Sequence, residues 1–201
     1  MQVRPVILEG RLVRLEPLAP RHAPELLEAA QDDELWRYLP IPRPRTQEAI
    51  ERWVAEAHEL QARGEQLPFA VLERGSGRAI GSMRYLDIRR AHRGLEIGWS
   101  WISPRFQRTG VNRECKLLLL AHAFEALGCL RVQLKTDARN LRSQAAIERL
   151  GAVREGVLRR HMRLHDGFVR DSVLYSITDL EWPALKARLE ARLSAPPPSS
   201  A

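Results

Sequence analysis

The chain has 201 residues, of which 44% are hydrophobic and 28% charged, and it carries a formal net charge of +7. That length suits one domain with a real core, and the balance excludes the disordered, fibrous and membrane classes. No apolar run approaches the ~20 residues that span a bilayer.

Residues 1–9 lack the long apolar core of a secretory signal, which predicts a cytoplasmic protein. Residues 11–16 alternate as a first strand, and Pro17 and Pro20 end it. Ala23, Leu26, Leu27 and Ala30 then recur with the spacing of an amphipathic helix. Residues 36–44 hold Pro40, Pro42 and Pro44 with Trp36 and Tyr38, an irregular stretch. Thr46 is placed to cap a second helix whose buried stripe is Ile50, Trp53, Val54 and Ala57, ending at Arg63-Gly64. Residues 67–73 and 78–88 read as strands joined by the turn Arg74-Gly75-Ser76-Gly77, an antiparallel pair.

The stretch from Gly94 to Gly151 organises the rest. Residues 95–101 alternate, which predicts a strand with Leu95, Ile97, Trp99 and Trp101 on one face and Glu96, Gly98 and Ser100 on the other. After Pro104, residues 105–112 form a turn-like segment with one glycine and two arginines, followed by an apolar run from Cys115 to Leu127 that reads as a buried helix. Residues 131–135 are the next strand, and a short helix follows Asn140 and stops at Gly151. Residues 153–165 and 168–178 flank Asp166-Gly167, a hairpin signal in which both central residues can take positive φ. A last helix is expected over 179–193, and residues 195–201 read as a disordered Pro/Ser tail, leaving a single domain over 1–194. The pattern predicts an α/β fold: a mixed, mostly antiparallel sheet flanked by helices. The strands around Glu96 and Gln133 are parallel because a helix crosses between them.

The first N–H groups of a helix have no intrahelical partner, and its dipole adds positive charge there, so the segment before Cys115 suits an anion. Gly110 permits close approach, and Arg105, Arg108 and Arg113 add full charges. Spacing alone leaves an ordinary strand-to-helix connection equally open. The basic balance also fits a polyanionic partner. Nucleic acid is not expected, because aromatics are not interleaved with a basic stripe. The six histidines show no zinc-site spacing, which predicts no metal, and Cys115 and Cys129 read as buried thiols.

Gln107-x-x-Gly110-x-Asn112 resembles the Q/R-x-x-G-x-G/A pyrophosphate loop of the GNAT superfamily of acyl-CoA-dependent N-acyltransferases, with Asn112 where the family has Gly or Ala. Asn140-x-x-Ser143 resembles the RimJ/RimL branch, the ribosomal-protein N-terminal acetyltransferases. The resemblance spans roughly residues 8–183 and implies the GNAT fold, with acyl-CoA between the separating parallel strands. It implies coenzyme contacts at Trp101, Ile102, Ser103, Gln107, Arg108, Thr109, Gly110, Val111, Asn112, Asn140 and Ser143. Backbone N–H groups near 101–103 would polarise the thioester carbonyl. It further implies Glu96 as the base for the acceptor ammonium, against a plain solvated carboxylate on the sheet face. Ile147 stands where many relatives carry a tyrosine acid, which points to Ser143 as the proton donor, beside its reading as a simple helix cap. Trp36 and Tyr38 would border the acceptor, or only seal the edge of the core. The implied donor is acetyl-CoA or another acyl-CoA such as succinyl-CoA. The acceptor is a primary amine of a small molecule or a protein N-terminus, with no membrane partner and a homodimer left open. The alternative is a CoA-binding module of the same fold that has lost turnover.

Overall fold

The computed structural model describes residues 1–194, so the tail at 195–201 lies outside the described residues. Eight strands form one sheet in the order β1-β2-β3-β4-β5-β6-β8-β7. They are β1 (Leu8–Glu9), β2 (Val13–Pro17), β3 (Leu67–Glu73), β4 (Ala79–Arg89), β5 (Gly94–Ile102), β6 (Arg131–Asp137), β7 (Val153–Arg163) and β8 (Val169–Thr178). Neighbours are antiparallel except β5 and β6. The five helices are α1 (Ala23–Ala29), α2 (Gln47–Ala62), α3 (Val111–Ala121), α4 (Leu141–Leu150) and α5 (Trp182–Ser194).

The sheet separates two cores. On one face Val13, Leu15, Phe69, Tyr85, Leu95 and Ile97 pack against the apolar sides of α3, α4 and α5. On the other, Ala70, Ala79 and Trp101 pack against α1, α2 and Trp36. Thr46 caps α2 as expected, its hydroxyl oxygen accepting the Ala49 N–H at 3.2 Å.

Three expectations are corrected. Helix α3 begins at Val111 rather than Cys115, because Gly110, at φ 95°, turns the chain directly into it, and residues 122–126 continue it as a π-helical turn. Helix α5 begins at Trp182, since Thr178 and Glu181 form a separate turn closed by the Glu181 carboxylate. In the β7–β8 turn only Gly167 has positive φ, and Asp166 instead accepts the Phe168 N–H through its side chain.

One buried side chain fixes α3 against the sheet. Glu114 accepts the N–H groups of Arg11, Leu12 and Val13 at 2.9, 2.7 and 2.8 Å. A β-carbon on Gly10 would stand 2.5 Å from Glu114 Oε2, so only glycine lets the β1–β2 turn close on that carboxylate.

Candidate active site

Strands β5 and β6 pair over only three positions: Gly94 with Arg131, Leu95 with Val132 and Glu96 with Gln133. Both run on past Glu96 without pairing, so a gap opens at their C-terminal ends, where parallel sheets place ligands. Gly98, Trp99 and Ser100 are half-exposed there, although they lie mid-strand.

The alternation predicted for β5 breaks inside this gap. Between the pairs Arg84–Gly98 and Ser82–Trp101 the strand β5 carries one extra residue, and Trp99 has φ 50°, the mark of a bulge. After the bulge the faces exchange. Trp101 joins Glu96 and Gly98 on the α1/α2 side, where it packs on Trp36 and Trp53, while Ser100 turns toward α3. Glu96 and Trp101 therefore share a face, against the expectation from periodicity.

Glu96 is 3% exposed and stands at the last paired position. Its Oε2 accepts Gln133 Nε2 at 2.8 Å and Lys135 Nζ at 3.0 Å. Its Oε1 takes no hydrogen bond among the described residues and lies 3.1 Å from where a β-carbon on Gly98 would stand. From the opposite face Lys116, on α3, donates to Ser100 Oγ at 2.6 Å. Burial brings its pKa down to about 8, while Glu96 and the neighbouring Cys115 favour the charged form. Next along the floor, His161 Nδ1 lies 3.0 Å from Ser172 Oγ, which also accepts Arg170 Nε at 2.8 Å. Burial, then Lys135 and Arg170, lowers the His161 pKa.

Sequence reasoning missed both Lys116 and His161. Lys116 sits in an apolar run, and His161 reaches this floor through an irregularity in β7 between Leu158 and Met162. One signal was available: three of the chain's basic residues are lysines, and two of them, Lys116 and Lys135, flank Glu96.

The mouth of the gap is built from two helix N-termini. Helix α3 starts at Gly110 with no side-chain cap, in contrast to α2 and α4, so its first N–H groups remain open to an anion. Arg108 and Thr109 are exposed beside it, Asn112 is exposed on its first turn, and Val111 is buried beneath it. Gln107 bridges to α4, accepting Arg142 Nη1 at 3.1 Å. The cap of α4 is Asn140, whose Oδ1 accepts the Ser143 N–H at 3.0 Å. Ser143 is thus not a cap: it lies inside the first turn, half-buried, with no side-chain hydrogen bond among the described residues. Ile147 turns into the core. Ser103 N–H is bound to the Ile80 carbonyl at 2.8 Å and cannot serve a thioester. The unpaired edge of β5 beyond Glu96 is the remaining source of backbone donors.

The two aromatics of the irregular stretch divide. Trp36 is 1% exposed, bonded through Nε1 to the Ala30 carbonyl and packed against Trp101 with the rings tilted at 46°, and belongs to the core. Tyr38 lines a cavity of about 300 Å³ with Glu34, Arg139, Asn140, Leu141 and Arg142. Arg170 Nη1 donates to the Tyr38 carbonyl at 2.9 Å and holds that stretch over the sheet. Asp137 is pushed up by burial, but hydrogen bonds from Arg139 outweigh this and lower its pKa overall.

A parallel pair that separates after three residues, with an uncapped anion-accepting helix start at its mouth, is the frame of the CoA-dependent N-acyltransferases. Comparison with known proteins agrees: the acetyltransferase (GNAT) domain matches residues 12–153, and the chain belongs to that family. Its reaction is acyl-CoA-dependent N-acetyl transfer.

A protein of T. thermophilus, solved as a candidate acetyltransferase, is 44% identical, covers 96% of this chain and 100% of its own, and superposes with a TM-score of 0.85. The uncharacterized N-acetyltransferase YoaA of Bacillus subtilis (strain 168) is 26% identical over 176 residues, 86% of this chain and 96% of its own. YdaF of the same organism, a candidate ribosomal N-acetyltransferase, is 31% identical over 110 residues, 55% of this chain and 59% of its own. No described helix is long and apolar enough to cross a membrane, and no group of metal-ligating side chains occurs among the described residues.

Proposed function

We propose that acetyl transfer takes place in the gap between β5 and β6, with Glu96 and Ser143 carrying its two proton movements. Acetyl-CoA supplies a thioester carbon open to attack. The residues that would hold it are Gln107–Asn112 and the open start of α3 for the pyrophosphate, Asn140 and the β5 edge at Trp101 and Ile102 for the arm. The missing cap on α3 supports that fit.

The observation that carries the reading is the asymmetry of Glu96. Gln133 and Lys135 fix one oxygen, and the other faces the point where the strands part. Glu96 Oε1 takes a proton from the acceptor ammonium, directly or through water, and leaves a neutral amine. Nitrogen attacks the thioester carbon, the C–S bond breaks as the Ser143 hydroxyl donates its proton to the departing thiolate, and the second proton lost by the attacking nitrogen passes through water to restore the serine hydroxyl. The acceptor is a primary amine of a protein N-terminus or a small molecule, entering past Tyr38. The likeness to YdaF, a candidate ribosomal N-acetyltransferase, supports a protein acceptor. Thiol release from acetyl-CoA with a panel of N-terminal peptides and small amines tests the reading. CoA binding without transfer to any amine would reduce the protein to a binding module.

A further inference from the structure

Arg84 lies on β4 directly across from Gly98, on the same face of the sheet as Glu96, and is 2% exposed. Its guanidinium is held between two indoles, with Cζ 4.6 Å from the ring centroid of Trp53 and 4.6 Å from that of Trp99. Both rings make cation–π contact with it, and its hydrogen bonds leave from the edges of the guanidinium plane. One edge is used, Nη1 donating to Gln66 Oε1 at 2.9 Å. The other edge, Nε with Nη2, has no partner among the described residues, and neither has Nε1 of Trp53 or of Trp101 beside it.

Four buried N–H-bearing nitrogens on Arg84, Trp53 and Trp101 thus lack a partner among the described residues, and the cation makes no salt bridge there. Burial lowers its pKa to about 10, with Glu56 the acidic group that favours the charged form from a distance. A buried guanidinium without a counter-charge is costly, and the Nε/Nη2 edge is the fork that takes both oxygens of a carboxylate. Of the two rings against the cation, Trp99 is the one on β5, beside the gap. It is half-exposed and held at φ 50°, a backbone region that bulky side chains adopt only under constraint.

We propose that Arg84 binds a carboxylate of the acceptor, so that the substrate is an amine that also carries a carboxylate, admitted when the Trp99 ring swings aside. The proposal rests on the placement of transfer at Glu96, since Gly98, opposite Arg84, is two residues along the same strand. The carboxylate has two sources, a free amino acid or an acidic residue near a protein N-terminus, and two arms separate them. In one, kcat/KM by thiol release is compared for alanine against alaninamide and for β-alanine against its amide, corrected for the neutral amine present. In the other, N-terminal peptides with Glu or Asp at the second position are compared with their Gln or Asn counterparts.

A carboxylate preference of about 10²-fold or more is expected in one arm, because the uncharged partner leaves the fork unpaired. Arg84→Met should bring that ratio near one while leaving CoA affinity unchanged. A wild-type ratio near one in both arms overturns the proposal. Since Arg84→Met could unfold, wild-type tryptophan fluorescence is also titrated with malonate and with malonamide. Saturable change with malonate alone is expected, and no response to malonate counts against the site. Malonate binding without any acetyl transfer would retire the catalytic reading and leave the carboxylate site standing.

Discussion

Lys135 Nζ and Glu96 Oε2 form an ion pair of 3.0 Å at the position where β5 and β6 part, the carboxylate buried and the lysine half-buried, with side chains 4% and 15% exposed. The pair ties the proposed base to the strand across the gap. Glu96→Gln removes the base and also leaves Lys135, half-buried, without its counter-charge, at a cost of roughly 1–3 kcal/mol. Adding Lys135→Met to Glu96→Gln should recover most of that stability, while acetyl transfer stays down by about 10²–10⁴-fold. Melting temperatures and single-turnover transfer on the single and double variants check this. A double variant as active as wild type would remove Glu96 from the chemistry.

Asn140 and Ser143 separate capping from catalysis. Asn140→Ala should cost ~0.5–2 kcal/mol, because α4 loses the oxygen that accepts the Ser143 N–H. Ser143→Ala should leave stability nearly unchanged and lower turnover by about 10²–10⁴-fold if the hydroxyl protonates the thiolate. A fully active Ser143→Ala enzyme would make solvent the proton source.

The open start of α3 predicts CoA binding that weakens as salt rises, because charged phosphates meet Arg108 and its neighbours. Arg108→Glu should raise the Kd for CoA by about tenfold or more at low salt and flatten its salt dependence. Isothermal titration at two ionic strengths is the measurement. An unchanged Kd would exclude the loop from the site.

Lys116 gives the fold a pH dependence of definite sign. With a pKa of about 8 in the folded chain against an ordinary 10.5, the unfolded chain binds more protons between those values. Stability from this group therefore rises as pH increases from about 8 to 10.5, and below that window the buried charge is a constant cost. Lys116→Met should stabilise the protein by about 1–3 kcal/mol at pH 7, and the gain should fade toward pH 10.5. Urea unfolding at pH 7, 9 and 10.5 checks this. A gain that does not change with pH would mean that Lys116 keeps its ordinary pKa in the fold.

The sequence by itself determined the order of the elements around the gap. Alternation in 95–101, Gly110 before an apolar run, and Asn140 before Gly151 are signals carried by neighbouring residues, and each acts through local backbone preference. Gly110 and Asn140 took the positions their chemistry requires, the first at positive φ and the second as the cap of α4. What the tertiary structure decided is which side chains meet. The bulge at Trp99 turned Trp101 to the face of Glu96, because a strand that loses its partner on one edge can take an extra residue without breaking a ladder there. Lys116 became a site residue only when α3 laid it against Ser100, and His161 only when the irregular β7 carried it to Ser172. Arg84 looked like one arginine among many until the fold closed two tryptophans over it and left one edge of its guanidinium without a partner. Those contacts join residues far apart in the chain, so their free energies depend on burial and proximity that no local pattern encodes.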